Sequence, residues 1–132
     1  ICFESTLPRI SCEMVRQGAR LLCVVTNDTW FGRSPAAEQH LAFCALRAVE
    51  TRRWVLRSAT TGISAVFDAQ GRCLHRAELF TEAQLRADGV ELRQERTLYV
   101  RLGDSGSAVA VLVICCIFGW VEEVRRRKQQ VG

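Results

Sequence analysis

Cys2 is the first residue in the sequence whose type and position point to catalytic chemistry. It lies in "ICFES", two positions before Glu4, where an apolar run meets a stretch that is typical of a helix. The reactive form of cysteine is the thiolate, and a helix N-terminus lowers a thiol pKa through its dipole and free N–H groups. The pattern therefore predicts a nucleophile elbow. A buried structural cysteine, with Glu4 as a helix-start carboxylate, explains the same residues and stays open at this point.

The elements that would position Cys2 alternate between helix and strand. Ser5 or Thr6 is expected to cap the first helix, and Gly18 to end it. The patterns predict a helix over 5–18, a buried strand over 20–26, a loop over 27–35, a helix over 36–53, strands from residue 54 with a hairpin turn at 68–72, and a short strand over 97–103. This order predicts an α/β layered domain.

The segment 105–121, "SGSAVAVLVICCIFGWV", contains no charged side chain. Its length is at the lower limit for a helix that crosses a bilayer core of about 30 Å. Trp120 at its end and the following "RRRK" are typical of a membrane boundary with the cationic side in the cytoplasm. A buried core helix is the alternative. We expect a transmembrane helix over 105–121, with residues 1–104 outside and a cytoplasmic basic tail over 122–132.

Charge and cysteine spacing argue against several function classes. The net charge of +4 is small and dispersed, and basic and aromatic residues do not interleave, so nucleic acid is not an expected partner. The seven cysteines form no CxxC motif and no Cys/His cluster with zinc spacing, and the two histidines, His40 and His75, are far apart. We expect no metal and no cofactor. Cys23 and Cys44 lie in apolar surroundings and are expected to be buried and inert.

Several stretches together resemble the carbon–nitrogen hydrolase (nitrilase) superfamily. They are "ICFE", "GARLLCVVTND" and "RAVETRRWVLRSATTGISAVFDAQGR". The loop "NDTWFGRSPAAEQH", and "RSATTGISAV" followed by a terminal apolar segment, are similar to the apolipoprotein N-acyltransferase branch of that superfamily. The resemblance extends from residue 1 to about residue 128. It implies the C-terminal half of a nitrilase-like αββα sandwich over 1–104, followed by the transmembrane helix and the tail.

The resemblance implies roles only at matching positions. Cys2 matches the nucleophile that takes an acyl chain from a phospholipid as a thioester, and Glu4 matches a carboxylate that supports the active site. Phe3 stands where the family often has tyrosine and is expected to contact substrate. Trp30 matches an aromatic residue on a loop near the substrate entrance. Thr60, Thr61 and Gly62 form a strand-end turn, of which Thr61 and Gly62 are expected to line the acyl pocket.

The implied function is ping-pong acyl transfer at the bacterial inner membrane, on its periplasmic side. A phospholipid would be the acyl donor, and the N-terminal cysteine α-amine of a diacylated apolipoprotein the acceptor. The first alternative is a nitrilase-fold amidase that hydrolyses a small amide, and the second is a membrane-anchored binding or scaffold domain. The amidase does not explain 105–128, and the scaffold gives no reason for the elbow.

Other polar residues have simpler explanations. Asn27 and Asp28 are expected to form the loop rather than to act in catalysis, and Arg47 is expected to pair with Glu50 on one helix face.

The chain starts at Ile1 without a methionine, so we expect a fragment. The general-base Glu and the oxyanion Lys of the family precede its cysteine, and we therefore expect this fragment to be inactive alone.

Overall fold

The computed structural model describes residues 2–130, apart from the side chains of residues 107, 123, 124 and 127–130. Ile1, at the start of the predicted catalytic region, and residues 131–132 of the predicted tail lie outside the described residues. The chain divides into two compact units, one up to Arg101 and one from Leu102.

The first unit is built on a four-stranded mixed sheet. Its strands are β1 (Leu21–Thr26), β2 (Trp54–Ala59), β3 (Ala65–Phe67) and β4 (Cys73–Arg76), which lie in that order across the sheet. Strands β1 and β2 are parallel, with Leu21 opposite Trp54 and Thr26 opposite Ala59, whereas β3 and β4 continue antiparallel. The predicted hairpin turn over 68–72 is confirmed between β3 and β4, where the Asp68 carboxylate accepts hydrogen bonds from backbone N–H groups.

Two helices cover one face of this sheet. Helix α1 (Pro8–Arg16) and helix α2 (Pro35–Thr51) each have proline in the first turn, where its missing N–H costs no helical hydrogen bond. Their apolar side chains form one core with the inward residues of the strands. The fully or almost fully buried members of that core include Val15, Leu22, Leu41, Cys44, Ala48, Val55 and Ile63. The unit is therefore an α/β layered fragment, as the element order predicts.

The start of α1 differs from the prediction. Residues Cys2–Thr6 form a separate 3₁₀ helix, and α1 begins only at Pro8, with Leu7 in the N-cap position. Ser5 and Thr6 therefore do not cap α1, because their hydroxyls donate to carbonyl oxygens within the 3₁₀ helix. Gly18 follows the helix with φ of 104°, which agrees with its predicted role as a helix end.

Strand β1 buries only one of its faces. Leu22, Val24 and Thr26 point into the core, whereas Cys23 and Val25 are exposed on the opposite face. The expectation that Cys23 is buried is therefore wrong. A continuous apolar run does not by itself say whether both faces of a strand are covered, and here the helices cover only the face of Leu22 and Val24.

The predicted strand over 97–103 is also wrong, because helix α3 (Leu98–Gln130) begins there. The Thr97 hydroxyl oxygen accepts a hydrogen bond from the Val100 N–H at 3.0 Å, as an N-cap residue does, and donates to the Glu50 carbonyl oxygen at 2.5 Å. The alternating pattern of residues 97–103 is typical of a strand, but the N-cap at Thr97 favours a helix. Gly103 interrupts α3 with a non-helical backbone conformation.

In the second unit, the described residues of α3 carry exposed apolar side chains. Val111, Leu112, Ile114, Phe118 and Trp120 are each more than half exposed. Among the described residues, no single helix meets the length and hydropathy criteria for crossing a membrane. Only the bent pair Leu98–Gly106 and Ala108–Glu122 meets them together.

Candidate functional site

Cys2 begins the 3₁₀ helix in a left-handed backbone conformation. Its φ is 52°, in a region that costs a non-glycine residue about 1–2 kcal/mol because Cβ crowds the following carbonyl oxygen. The Ser5 hydroxyl donates a hydrogen bond to the Cys2 carbonyl oxygen at 2.9 Å, and this bond closes the turn. The Cys2 side chain is half-buried. A sharp, strained turn that presents a half-buried thiol is the backbone arrangement expected of a nucleophile elbow.

The surroundings of the thiol lower the pKa of Cys2 below its ordinary value. The largest cause is a hydrogen bond with the Thr26 side chain, and backbone hydrogen bonds from Asn27 and Phe3 act in the same direction. Burial and the negative charge of Asp28 raise the pKa but are outweighed. Because the thiolate is the nucleophilic form, these hydrogen bonds favour reaction at Cys2.

These groups meet at the carboxyl ends of the parallel strands. Thr26 is the last residue of β1, and its carbonyl oxygen accepts a hydrogen bond from the Thr60 N–H, just beyond the end of β2, at 3.1 Å. Ligands of α/β proteins bind at this edge of a sheet, where the loops that follow the strands converge. The elbow therefore lies where the fold can place substrate-binding loops around it.

A buried polar network lies directly beneath the elbow. The Asp28 carboxylate accepts hydrogen bonds from the Thr26 hydroxyl at 2.9 Å and from Arg57 Nη2 at 2.5 Å. His40 Nδ1 lies 3.0 Å from Asp28 Oδ1, and His40 Nε2 lies 3.2 Å from Ser5 Oγ. All five side chains belong to residues that are at most 6% exposed, so the charges of Asp28 and Arg57 compensate each other away from water. We call these five residues the elbow network.

The predicted substrate-binding residues surround the elbow to different degrees. Phe3 is 65% exposed, and its ring centroid lies 6.1 Å from that of His40. Trp30, in the 3₁₀ helix Thr29–Phe31, is 74% exposed. The Thr61 hydroxyl donates to Thr29 Oγ1 at 3.3 Å, so the loops after β1 and β2 are in contact. The structure brings Phe3 and Thr61 to the same edge of the sheet as Cys2.

Gly62 packs against the elbow network. A Cβ atom at this position would lie 2.7 Å from Asp28 Cβ and would overlap the carboxylate as well. A glycine is therefore needed here for close approach, whereas the prediction assigned Gly62 to the acyl pocket.

Glu4 lies on the exposed side of the 3₁₀ helix. The negative charge of Asp28 raises the pKa of the Cys2 thiol. Glu4 lines a small cavity of about 30 Å³ that Arg47 also lines. Arg47 donates to Glu50 Oε1 at 2.9 Å, which confirms the predicted pair, and also to the Thr6 carbonyl oxygen at 3.1 Å. This second bond anchors the 3₁₀ helix to α2.

The remaining described cysteines differ from Cys2 in their electrostatics or exposure. Cys44 is fully buried, as predicted, and burial is the main cause that raises its pKa. Cys73 is exposed on β4, and partial desolvation by its neighbours raises its pKa. Cys12 is 2% exposed. The described residues contain no group of three or more His, Cys, Asp or Glu side chains that could hold a metal ion.

Sequence reasoning missed most of the elbow network. Asp28 and Asn27 both form the loop as predicted, since the Asp28 carbonyl oxygen accepts the Phe31 N–H and the Asn27 side chain accepts the Thr29 N–H. The prediction missed that the Asp28 carboxylate is also buried and ion-paired with Arg57. The signal in the sequence that could have predicted this network was a polar residue at a position whose neighbours in the pattern are buried. His40 lies on the buried stripe of α2, and Arg57 points to the same side of β2 as Val55. A polar residue in such a position requires a buried partner.

Comparison with known proteins adds an independent finding. The sequence pattern of the family described as carbon–nitrogen hydrolase matches residues 1–94. The apolipoprotein N-acyltransferases of Geobacter metallireducens and Thermotoga maritima are each 43% identical over 79% of the chain and 20% of their own length. That of Chlorobaculum tepidum is 37% identical over 96% of the chain and 24% of its own length. The chain therefore spans about a fifth to a quarter of the length of these relatives.

Proposed function

The chain belongs to the carbon–nitrogen hydrolase family, and from this premise we propose that it is part of an apolipoprotein N-acyltransferase with Cys2 as the nucleophile. The observation that carries the proposal is the Cys2 elbow. A strained half-buried thiol with a lowered pKa lies at the carboxyl ends of two parallel strands. The names of the similar proteins supply the reaction class.

The proposed reaction has two covalent steps. In the first, the Cys2 thiolate attacks the carbonyl carbon of a phospholipid ester, the carbon–oxygen bond breaks, and the lysophospholipid leaves with a proton. In the second, the α-amine of the N-terminal cysteine of a diacylated apolipoprotein attacks the thioester. The carbon–sulfur bond breaks, the amine loses a proton, and an amide and the free thiolate result. A thioester suits this sequence because it is activated towards amines.

This chain contributes the nucleophile and its immediate surroundings. Thr26 and the backbone groups around the elbow stabilise the thiolate before attack and after the second step, when the thiolate is the leaving group. Glu4 is proposed to support the active site from the exposed side of the 3₁₀ helix. The only lysine in the chain is Lys128, in the basic tail, so the oxyanion lysine of the family is not assigned to a residue near the elbow.

The residues proposed to form the substrate site are Phe3, Trp30, Thr61 and Gly62. The large exposed fractions of Phe3 and Trp30 support contact with an acyl chain, because apolar surface gains most when a lipid removes it from water. Thr61 contacts the loop that carries Trp30, through Thr29. Gly62 would contribute indirectly, by leaving space for Asp28 beneath the elbow.

The proposed location is the bacterial inner membrane. Segment 105–121 would span the bilayer, the catalytic residues would face the periplasm, and the tail would lie in the cytoplasm. The support is the absence of charge from this segment and the exposure of its apolar side chains, such as Leu112 and Phe118. A lipid-embedded helix fits a reaction whose two substrates are both lipid-anchored.

Mass spectrometry tests the proposed nucleophile. The protein expressed from its complete gene is incubated with phospholipid alone, and the acyl adduct is located by peptide mapping. We expect a thioester on Cys2 and on no other cysteine. Cys2→Ser is expected to abolish the adduct and to lower N-acylation of a diacylated lipopeptide by several orders of magnitude, because a serine hydroxyl ionises far less readily.

Cys23→Ser is the matched control, since Cys23 is exposed on the other face of β1 and is expected to be dispensable. An adduct on another cysteine would contradict the assignment of Cys2. Hydrolysis of small amides through Cys2, without acylation of the lipopeptide, would favour the amidase instead.

A further inference from the structure

We propose that His40 is a positioning residue, which holds the Cys2 elbow in its strained conformation through the hydroxyl of Ser5. The inference rests on the proposed role of Cys2 as the nucleophile. It concerns the conformation of the backbone that presents the thiol.

The single hydroxyl proton of Ser5 determines which of its two contacts it donates to. A serine hydroxyl has one proton to donate and two lone pairs with which to accept. Ser5 uses its proton on the Cys2 carbonyl oxygen at 2.9 Å. The contact of 3.2 Å between Ser5 Oγ and His40 Nε2 is therefore a hydrogen bond only if Nε2 carries a proton and donates. His40 thus fixes the direction in which the Ser5 hydroxyl points.

The surroundings of the other ring nitrogen, Nδ1, are compatible with a proton on Nε2. His40 Nδ1 lies 3.0 Å from Asp28 Oδ1 and 3.1 Å from Arg57 Nη2. The neutral ring carries one proton, and when that proton is on Nε2 the unprotonated Nδ1 accepts from the Arg57 guanidinium. A proton on Nδ1 alone would leave Nε2 as an acceptor and would turn the Ser5 hydroxyl away from Cys2. The shorter contact of Ser5 Oγ, 2.9 Å to the Cys2 carbonyl oxygen against 3.2 Å to Nε2, favours the arrangement with the proton on Nε2.

The same residues do not act as a Ser–His–Asp catalytic triad. The order Ser5, His40, Asp28 is that of a Ser–His–Asp triad, in which histidine takes the proton of the serine. Here the Ser5 side chain belongs to a residue that is only 6% exposed, and its proton is committed to the Cys2 carbonyl oxygen. Ser5 is therefore a support for the cysteine.

The His40 ring is held in place by contacts on several sides. His40 is 3% exposed on helix α2, and Phe31 meets its ring edge-on with 5.7 Å between centroids. Asp28, which contacts Nδ1, is itself held by Thr26 and by Arg57, from β1 and β2. The ring is fixed by α2, by the two parallel strands and by the loop after β1, and it transmits that position to the 3₁₀ helix.

The consequence concerns the reactivity of Cys2. A left-handed conformation at a residue other than glycine persists only where its surroundings stabilise it. Without the Ser5 hydrogen bond, the turn is expected to relax, and the thiol would leave the hydrogen bond with Thr26 that stabilises the thiolate. A loss of reactivity at Cys2 is therefore expected with little change in global stability.

Two substitutions at His40 separate positioning from simple structural support. In His40→Gln the side-chain amide reaches the place of Nε2 and donates to Ser5, whereas in His40→Asn it reaches the place of Nδ1 and serves only Asp28. The measurement is the rate of Cys2 alkylation by iodoacetamide at several pH values, resolved by peptide mass spectrometry, in the protein from the complete gene. We expect near wild-type alkylation in His40→Gln and roughly tenfold slower alkylation in His40→Asn, the most that one net hydrogen bond contributes.

Ser5→Ala carries the same test without any change at the histidine. It is expected to slow alkylation of Cys2 about as much as His40→Asn, by roughly tenfold. Ser11→Ala is the matched control, since Ser11 is also buried, at 7% exposure, on the neighbouring α1. In this variant we expect iodoacetamide to alkylate Cys2 at the wild-type rate. Wild-type alkylation in Ser5→Ala, or faster alkylation in His40→Asn than in His40→Gln, would overturn the proposal.

The alkylation assay also keeps this proposal separate from the proposed function. Iodoacetamide needs neither phospholipid nor lipopeptide, so the ranking of the variants tests positioning directly. Wild-type protein that alkylates at Cys2 but forms no thioester would overturn the acyltransferase assignment alone.

Discussion

The lowered pKa of Cys2 depends on a small number of hydrogen bonds. Thr26 is the most important of them, because its side chain is the largest cause of the lowered pKa of Cys2. The same hydroxyl donates to Asp28 at 2.9 Å, and because it has a single proton, the Cys2 thiolate and the Asp28 carboxylate compete for this donor. The residue type of Cys2 suggested nucleophilic chemistry, and the groups around its thiol determine its pKa.

Thr26→Val is expected to raise the pKa of Cys2, since it removes the hydrogen bond that stabilises the thiolate and leaves the opposing burial and Asp28 charge in place. The thiolate fraction at neutral pH then falls, and the pH at which Cys2 alkylation reaches half its maximum moves upward. Thr26→Ser keeps the hydroxyl and should leave the profile nearly unchanged. An unshifted profile in Thr26→Val would show that this hydroxyl does not stabilise the thiolate.

At the scale of elements, the start of α3 shows how one cap changes an assignment. Thr97 accepts the Val100 N–H and donates to the Glu50 carbonyl oxygen near the end of α2, so it joins two helices of the first unit. Val100 itself is fully buried in the core. A pattern that alternates like a strand therefore forms a helix, because a cap and a buried anchor outweigh the local preference for β structure.

Thr97→Ala is expected to lower the free energy of unfolding by about 1 kcal/mol, the usual effect of losing an N-cap side chain. A thermal unfolding curve in detergent measures the change as a lower Tm. Thr81→Ala is the control, since the exposed Thr81 hydroxyl donates only to a nearby carbonyl oxygen, of Glu78. Equal Tm values for the two variants would show that Thr97 does not cap α3.

At the scale of the whole molecule, the two units differ in how they place their apolar side chains. The first buries an apolar core between helices and one face of a sheet, while the described part of the second exposes large apolar side chains such as Leu112, Ile114 and Phe118. An apolar surface of this kind is unfavourable in water and favourable in lipid. This contrast supports the proposed membrane segment.

A fusion after Gly132 tests the proposed topology. A reporter that is active only outside the cytoplasm is expected to be silent there, because the basic tail would stay on the cytoplasmic side. A second reporter that is active only in the cytoplasm is the control and should give a signal. The opposite pair of results would contradict the orientation.

Much of the architecture follows from the sequence alone. Pro8 in the first turn of α1, the apolar spacing of both core helices and the "DAQGR" turn of the β3–β4 hairpin are local signals, because they depend on neighbours within a few residues. Pro35, which was assigned to the loop, instead begins α2. Cys2 was a candidate nucleophile for the same reason. Its type and its junction between an apolar run and a helix are local properties.

Only the tertiary structure decided which polar groups meet. Ser5, Asp28, His40 and Arg57 are far apart along the chain, and their side chains lie together because β1 and β2 are parallel and α2 crosses the same face. The exposure of Cys23 was decided in the same way, by which face of the sheet the helices cover. Burial and charge pairing depend on contacts between distant segments, so the types and spacing of residues along the chain do not determine them.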